Sequence, residues 1–157
     1  MVPWLGILSL ASGPTTMTHE QLTEGQIEVL IDGLSDDIAF VWILIHLGIR
    51  KNPPGTSRPP TRQQILSAFQ GLAALVEGGW ARLGRIETIA ETESGLLGIR
   101  SVRHVEEPLL EVRRRVQRSC WKARLLGRSL GRSWEWSCWL VNTPEGDEAA
   151  QHALKTR

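Results

Sequence analysis

Thr61 to Ile89 is the stretch that most limits the fold of this chain. Thr61-Arg-Gln-Gln64 has the spacing of a capping box, in which the Thr61 hydroxyl accepts from a first-turn N–H and Gln64 reaches back to the cap. Pro59 and Pro60 stop any helix from entering from upstream. Ile65, Phe69, Leu72 and Val76 then recur at helical spacing and make one apolar face. Gly78 and Gly79 end the helix, and Trp80 to Ile89 reads as extended chain. A capped helix, a glycine stop and a strand form a scaffold on which the other elements pack.

At 157 residues the chain has room for one domain with a real core. A formal net charge of +1 gives no overall pull toward nucleic acid or an acidic membrane, so any electrostatic argument rests on local clusters. The two cysteines, Cys120 and Cys138, make no disulfide framework and no metal-ligand pattern, and reduced thiols in the cytoplasm are expected.

Residues 1–16 hold an apolar stretch too short to span a bilayer, with no positive residue before it, as a signal peptide would want. Residues 1–17 are therefore read as a disordered extension or a mis-set start, and 18–157 as the single domain. From Leu22 the pattern is helical: Thr23 caps, and Ile27, Leu30, Ile31 and Leu34 form a face. Ser35 is the next expected cap, with Asp36 and Asp37 in a first turn. Ile38 to Leu47 is apolar almost all round, which predicts a buried central helix stopped by Gly48, with a strand as the competing reading of so short an apolar run. His46 has no acid or second His at helical spacing and reads as a core or rim histidine. Residues 50–60 are loop.

Beyond the Thr61 helix a β-hairpin is expected, with strands within Trp80–Ile89 and Leu96–Val102 and a polar turn at Ala90–Gly95. Gly84 marks a bulge or a close backbone approach. Val105 to Leu109 opens another helix, whose Leu109, Val112, Val116 and Cys120 face one side. Leu126-Gly-Arg-Ser129 and Leu130-Gly-Arg-Ser133 are a repeated tetrapeptide in a loop. Trp134 to Val141 alternates and predicts a third strand, with Trp134 and Trp136 on one face and Trp139 on the other. Thr143 caps a last helix with Pro144 at its first position, and Ala149, Ala150, Ala153 and Leu154 form its weak apolar side.

The helix ending at Leu75 to Gly79, followed by Trp80 to Ile86, resembles the third helix and first wing strand of a winged helix-turn-helix domain. The late strand running into Asn142-Thr-Pro-Glu-Gly-Asp147 resembles the strand, Thr-x-x-Gly turn and helix that close the wing in many bacterial regulators of that class. The layout from Leu22 to Leu154 is similar to small bacterial proteins with a winged-helix-like core. The resemblance implies an α+β fold: a winged-helix-like helical core, a three-stranded antiparallel sheet and an inserted helix. It also implies DNA binding and transcription regulation. The chain departs from the pattern in three places. Val105 to Ser133 intervenes before the closing strand, Asn142 stands where an apolar residue is usual, and the Thr61–Gly78 helix carries Arg62 as its only cation.

The strong charge cluster lies elsewhere. Arg113, Arg114, Arg115, Arg118, Lys122, Arg124, Arg128 and Arg132 are uninterrupted by any acid, and Trp121 lies among them. A basic stripe with an aromatic suits a nucleic-acid backbone and a stacked base. The competing reading is a solvated face paired with Glu106, Glu107 and Glu111. No Walker loop, Gly-x-Gly-x-x-Gly, His-Glu-x-x-His or Gly-x-Ser-x-Gly is present, so a non-enzymatic binding protein is expected.

The candidate contacts to nucleic acid or a partner are Arg62, Gln63 and Gln64 on the helix, Arg82 and Arg85 on the wing, and Arg113, Arg114, Arg115, Arg118 and Lys122 on the stripe. No catalytic residue, metal, cofactor or membrane association is expected. The alternative is an antitoxin-, immunity- or adaptor-type module that binds a protein partner or a second copy of itself, with the Trp-rich strand as core or interface.

Overall fold

The computed structural model describes residues 19–51, 58–90, 100–126 and 132–157. The readings made for residues 1–17, for 52–57, for the hairpin turn and early return strand at 91–99, and for the tetrapeptide loop at 127–131 lie outside them. A 3₁₀ turn at His19–Gln21 precedes α1 (Glu24–Asp32), β1 (Ile38–Ala39), α2 (Phe40–His46), α3 (Arg62–Glu77), β2 (Ala81–Ala90), β3 (Arg100–Glu106) and α4 (Leu109–Leu126). A second 3₁₀ turn at Arg132–Trp136 leads to β4 (Trp139–Asn142) and α5 (Pro144–Thr156). The fold is α+β, with α4 inserted before the last strand.

The expected capping box at Thr61 is formed, and the Thr23 cap proves to be a second one. Thr23 Oγ1 accepts from Gln26 N and Thr61 Oγ1 from Gln64 N, and each glutamine returns the bond to its cap N–H. Buried Gln26 also donates through Nε2 to Gly71 O at 2.9 Å, tying α1 to α3. At the end of α3, Gly79 sits at φ +78°, Gly79 N donates to Val76 O and Trp80 N to Leu75 O, a Schellman ending that aims the chain into β2. Gly48 ends α2 in the same way at φ +72°.

The sheet has four antiparallel strands, not three, in the order β1-β4-β2-β3. The fourth strand comes from Ile38 and Ala39, which pair with Leu140 and Trp139 instead of starting a helix at Ser35. Two residues whose backbone finds a strand edge leave the helix to start at Phe40, behind Ala39, which offers no side-chain cap. Burial holds α2 in place of a cap: Phe40, Val41, Ile43 and Leu44 are fully enclosed.

β2 pairs with β4 from Ala81 to Gly84 and with β3 from Gly84 to Ala90. Gly84 faces both Trp139 and Glu106, and a Cβ there would run into the Val105 carbonyl oxygen. The close-approach reading of Gly84 therefore holds. The return strand runs later than expected, through Val105 and Glu106, because these residues pair with Arg85 and Gly84, and α4 starts only after Pro108.

The expected Trp134–Val141 strand is also corrected. Arg132–Trp136 forms the 3₁₀ turn instead, with Trp134 and Glu135 both buried. The chain turns there, with Ser137 Oγ donating to Trp134 O at 2.7 Å, and only residues 139–142 are extended. Trp136 is half exposed and stacks on Trp139, centroids 5.7 Å apart at 28°, so these two rings meet instead of facing apart.

One core runs through the molecule. Ile65, Phe69, Leu72 and Leu75 of α3 meet Val112, Val116 and Cys120 of α4, with α1, α2, Leu83 and Leu140 closing it. His46 is a rim residue whose Nε2 lies 2.9 Å from Asp32 Oδ2 of α1, a partner outside its own helix. No helix among the described residues is long and apolar enough to cross a membrane.

Candidate nucleic-acid interface

Helix α4 lies against α3 and runs opposite to it. Arg124 near the end of α4 donates to the Pro60 carbonyl just before α3. Leu109 and Leu110 at the start of α4 line a recess with Ala73 on the later half of α3. The core-facing stripe of α4 follows the predicted three- and four-residue spacing. That leaves Arg114, Gln117, Arg118, Trp121 and Arg124 as a second stripe on its flank.

This second stripe, with Arg62 and Ile65 from the first turns of α3, encloses an open groove of about 470 Å³. Every charged side chain lining it is an arginine: Arg62, Arg114, Arg118 and Arg124. Ile65 and Cys120 make an apolar floor. Trp121 is 60 % exposed, and among the described residues no ring or guanidinium stacks on it. Arg62, Arg114 and Arg118 form no ion pair among the described residues, whereas Arg124 is anchored on Pro60.

The structure sorts the other candidates differently. Gln64 is spent on the capping box. Gln63 and Arg113 line the second recess, away from the groove. Lys122 is exposed but lines neither. Arg115 turns inward. Its Nε donates to Ser137 O at 2.9 Å, its Nη2 to Gly84 O at 3.3 Å, and its Nη1 meets Glu107 Oε2 at 2.5 Å. Glu107 was read as a partner for the stripe arginines, and for Arg115 it is one.

Arg82, Arg85 and Arg103 of the β2–β3 hairpin are matched by acids. Arg85 bonds Glu87 at 2.6 Å and Glu107 at 2.7 Å, Arg103 bonds Glu87 at 3.0 Å, and Arg82 lies 3.9 Å from Glu106. The bonds from Glu87 and Glu107 hold the Arg85 guanidinium above its usual range, and those from Arg85 and then Arg103 hold the Glu87 carboxyl below its own. Arg82, Arg85 and Arg103, so paired, offer little free charge for phosphates.

The most exposed side chains along α3 after Arg62 are Gln63, Gln70 and Glu77, a heptad-spaced line without a cation. Sequence reasoning placed Arg114, Arg118 and Trp121 on one basic stripe and left Arg62 apart, on the Thr61 helix. It missed Gln117 and the Ile65–Cys120 floor. Arg62 and Arg114 are far apart in sequence, and only the antiparallel packing of α3 on α4 brings them together.

Among the described residues no group of three or more His, Cys, Asp or Glu is placed to hold a metal ion. Comparison of the chain with protein-family models, curated proteins and solved structures returns no match.

Proposed function

We propose that this chain is a winged-helix-like, transcription-regulator-type protein of the cytoplasm that acts by binding, and that it holds a nucleic-acid backbone with Arg62, Arg114 and Arg118. The groove carries this reading: Arg62, Arg114 and Arg118, without an ion pair among the described residues, converge on one concavity with no acid among its lining residues. The winged-helix assignment is supported by the strand order. β4 sits between β1 and β2, where a wing-closing strand belongs, and α4 is an insertion ahead of it. The paired arginines of the wing and the cation-poor face of α3 favour the groove over the wing as the contact surface.

The test is binding of labelled nucleic acid across a salt series. Replacing Arg62, Arg114 and Arg118 together by Gln should weaken binding and flatten the salt slope by about 2–3, one counterion contact per arginine. Unchanged affinity and slope would remove the groove from consideration.

The second reading is a protein-binding module, and the Trp136–Trp139 stack favours it. Two stacked indoles with one half exposed form an anchor suited to a partner or a second copy. In that case Trp136→Ala abolishes association seen by sedimentation and leaves nucleic-acid binding untouched.

A further inference from the structure

We propose that the α3–α4 groove takes an unpaired nucleotide: a base stacked on Trp121 over the Ile65–Cys120 floor, its flanking phosphates held by Arg62, Arg114 and Arg118. The ligand class is therefore single-stranded nucleic acid rather than duplex, and this inference rests on the binding function proposed above.

Four observations carry it. Trp121 is 60 % exposed and sits in the groove wall, so its ring is open to a stacking partner there. Arg114 and Arg118 stand seven and three residues before Trp121 on the same flank of α4, so cations and ring share one line, as backbone-tracking and base-stacking require. The groove, at about 470 Å³, lies in the size range of sites for nucleotide-sized ligands and has an apolar floor for a base. Finally, the line α3 leaves most open after Arg62 is Gln63, Gln70 and Glu77, which offers no cation to duplex phosphates. A base inside a duplex is stacked on both faces and cannot reach Trp121, whereas an unpaired base can.

The experiment measures fluorescence polarisation of a labelled mixed-sequence oligonucleotide and of the duplex of the same sequence. Both are titrated at low salt with the full chain and with its Trp121→Ala and Trp121→Phe variants. The single strand should bind about ten-fold or more tighter than the duplex. Trp121→Ala should weaken single-strand binding about ten-fold, and Trp121→Phe, which keeps a ring, should stay within about three-fold. Trp121→Gln replaces the alanine variant if that one unfolds early.

Duplex binding equal to or tighter than the single strand overturns the inference and leaves the proposed function standing. Equal affinities of wild type and Trp121→Ala overturn it as well, as does polyglutamate competing as well as an unlabelled strand, since charge alone would then be acting. Failure to bind either nucleic acid removes the inference and the proposed function together.

Discussion

Arg115 Nη1 lies 2.5 Å from Glu107 Oε2, joining the second turn of α4 to the linker that leaves β3. The same guanidinium donates to Ser137 O and Gly84 O, so one side chain ties α4 to the hairpin and to the approach to β4. Glu107 completes the bracket by bonding Arg85 of β2 at 2.7 Å. Glu107 is 10 % exposed at its side chain and Arg115 25 %, so water shields the pair weakly. Its neighbour Arg114 points to the groove. Adjacent residues on a helix lie about 100° apart, and that angle separates a structural arginine from a binding one.

The two arginines should therefore fail differently. Arg115→Gln is expected to lower stability by roughly 1–3 kcal/mol, since it removes one of the two arginines on Glu107 and a donor to two backbone carbonyls. Arg114→Gln should leave the unfolding midpoint within about 0.5 kcal/mol of wild type, as surface substitutions do, and weaken nucleic-acid binding. Denaturant titration alongside a binding isotherm for each variant separates them.

The sequence was legible where local chemistry decides. Both capping boxes, the glycine stops at Gly48 and Gly79, the Thr143 cap and the buried stripe of α4 are written in short windows, and each is formed. It was not legible where a distant partner decides. Ile38 and Ala39 look helical until Leu140 and Trp139, far along the chain, offer a strand edge. The Trp134–Val141 alternation has the period of a strand, but burial of Trp134 beneath the Arg50 guanidinium, 4.9 Å from its ring, takes the backbone into a turn instead. The groove is half such a case: the basic stripe of α4 with Trp121 is legible, but the Arg62 and Ile65 that complete it come from α3 and are joined to it only by packing.

The Thr143-Pro-Glu-Gly146 turn gains a physical account. Thr143 Oγ1 donates to Gly79 O at 2.6 Å and accepts from Gly146 N, and Thr143 N donates to Trp80 O. Gly146 lies so close under Trp80 that a Cβ would run into the Trp80 carbonyl oxygen. Alanine normally improves a helix over glycine by about 1 kcal/mol. Here Gly146→Ala should instead destabilise by roughly 1–3 kcal/mol through overpacking. Thr143→Ala should cost about 1–2 kcal/mol through the lost cap. A stabilised Gly146→Ala protein in thermal unfolding would contradict this geometry.

The thiols should be silent in the native state. Burial pushes the Cys120 thiol up to about 12, against the opposing charges of Arg124 and Arg50. Burial also pushes Cys138 up, with Arg115 opposing. Both are free and buried, so thiolate is scarce and access is closed. At about pH 8 a disulfide reagent should find almost no reactive thiol in the folded protein and both in denaturant. Rapid reaction of one equivalent without denaturant would mean that the floor of the groove opens at Cys120.

Acid should act on Asp37 and Glu87 with opposite signs. Burial raises the Asp37 carboxyl above its ordinary 3.8, with Asp36 adding and His104 opposing, so the folded state disfavours its charge. That cost is present at neutral pH and is relieved as pH falls through the raised folded value. Glu87 is the reverse. Its hydrogen bonds from Arg85 and then Arg103 hold it below 4.5, so it stabilises the fold above its unfolded pKa, and that contribution is lost as pH falls through the depressed folded value. Asp37→Asn should then raise the melting temperature slightly near neutral pH, and the gain should shrink to nothing in acid, where wild-type Asp37 is itself protonated. Glu87→Gln should lower the melting temperature near neutral pH, and its deficit should close only at a lower pH than the Asp37→Asn gain, because the two folded values lie on opposite sides of the ordinary carboxyl range. Melting temperatures of wild type and both variants across an acid series check the order. If the Glu87 deficit closes first, the hairpin bonds from Arg85 and Arg103 do not hold that carboxylate in solution.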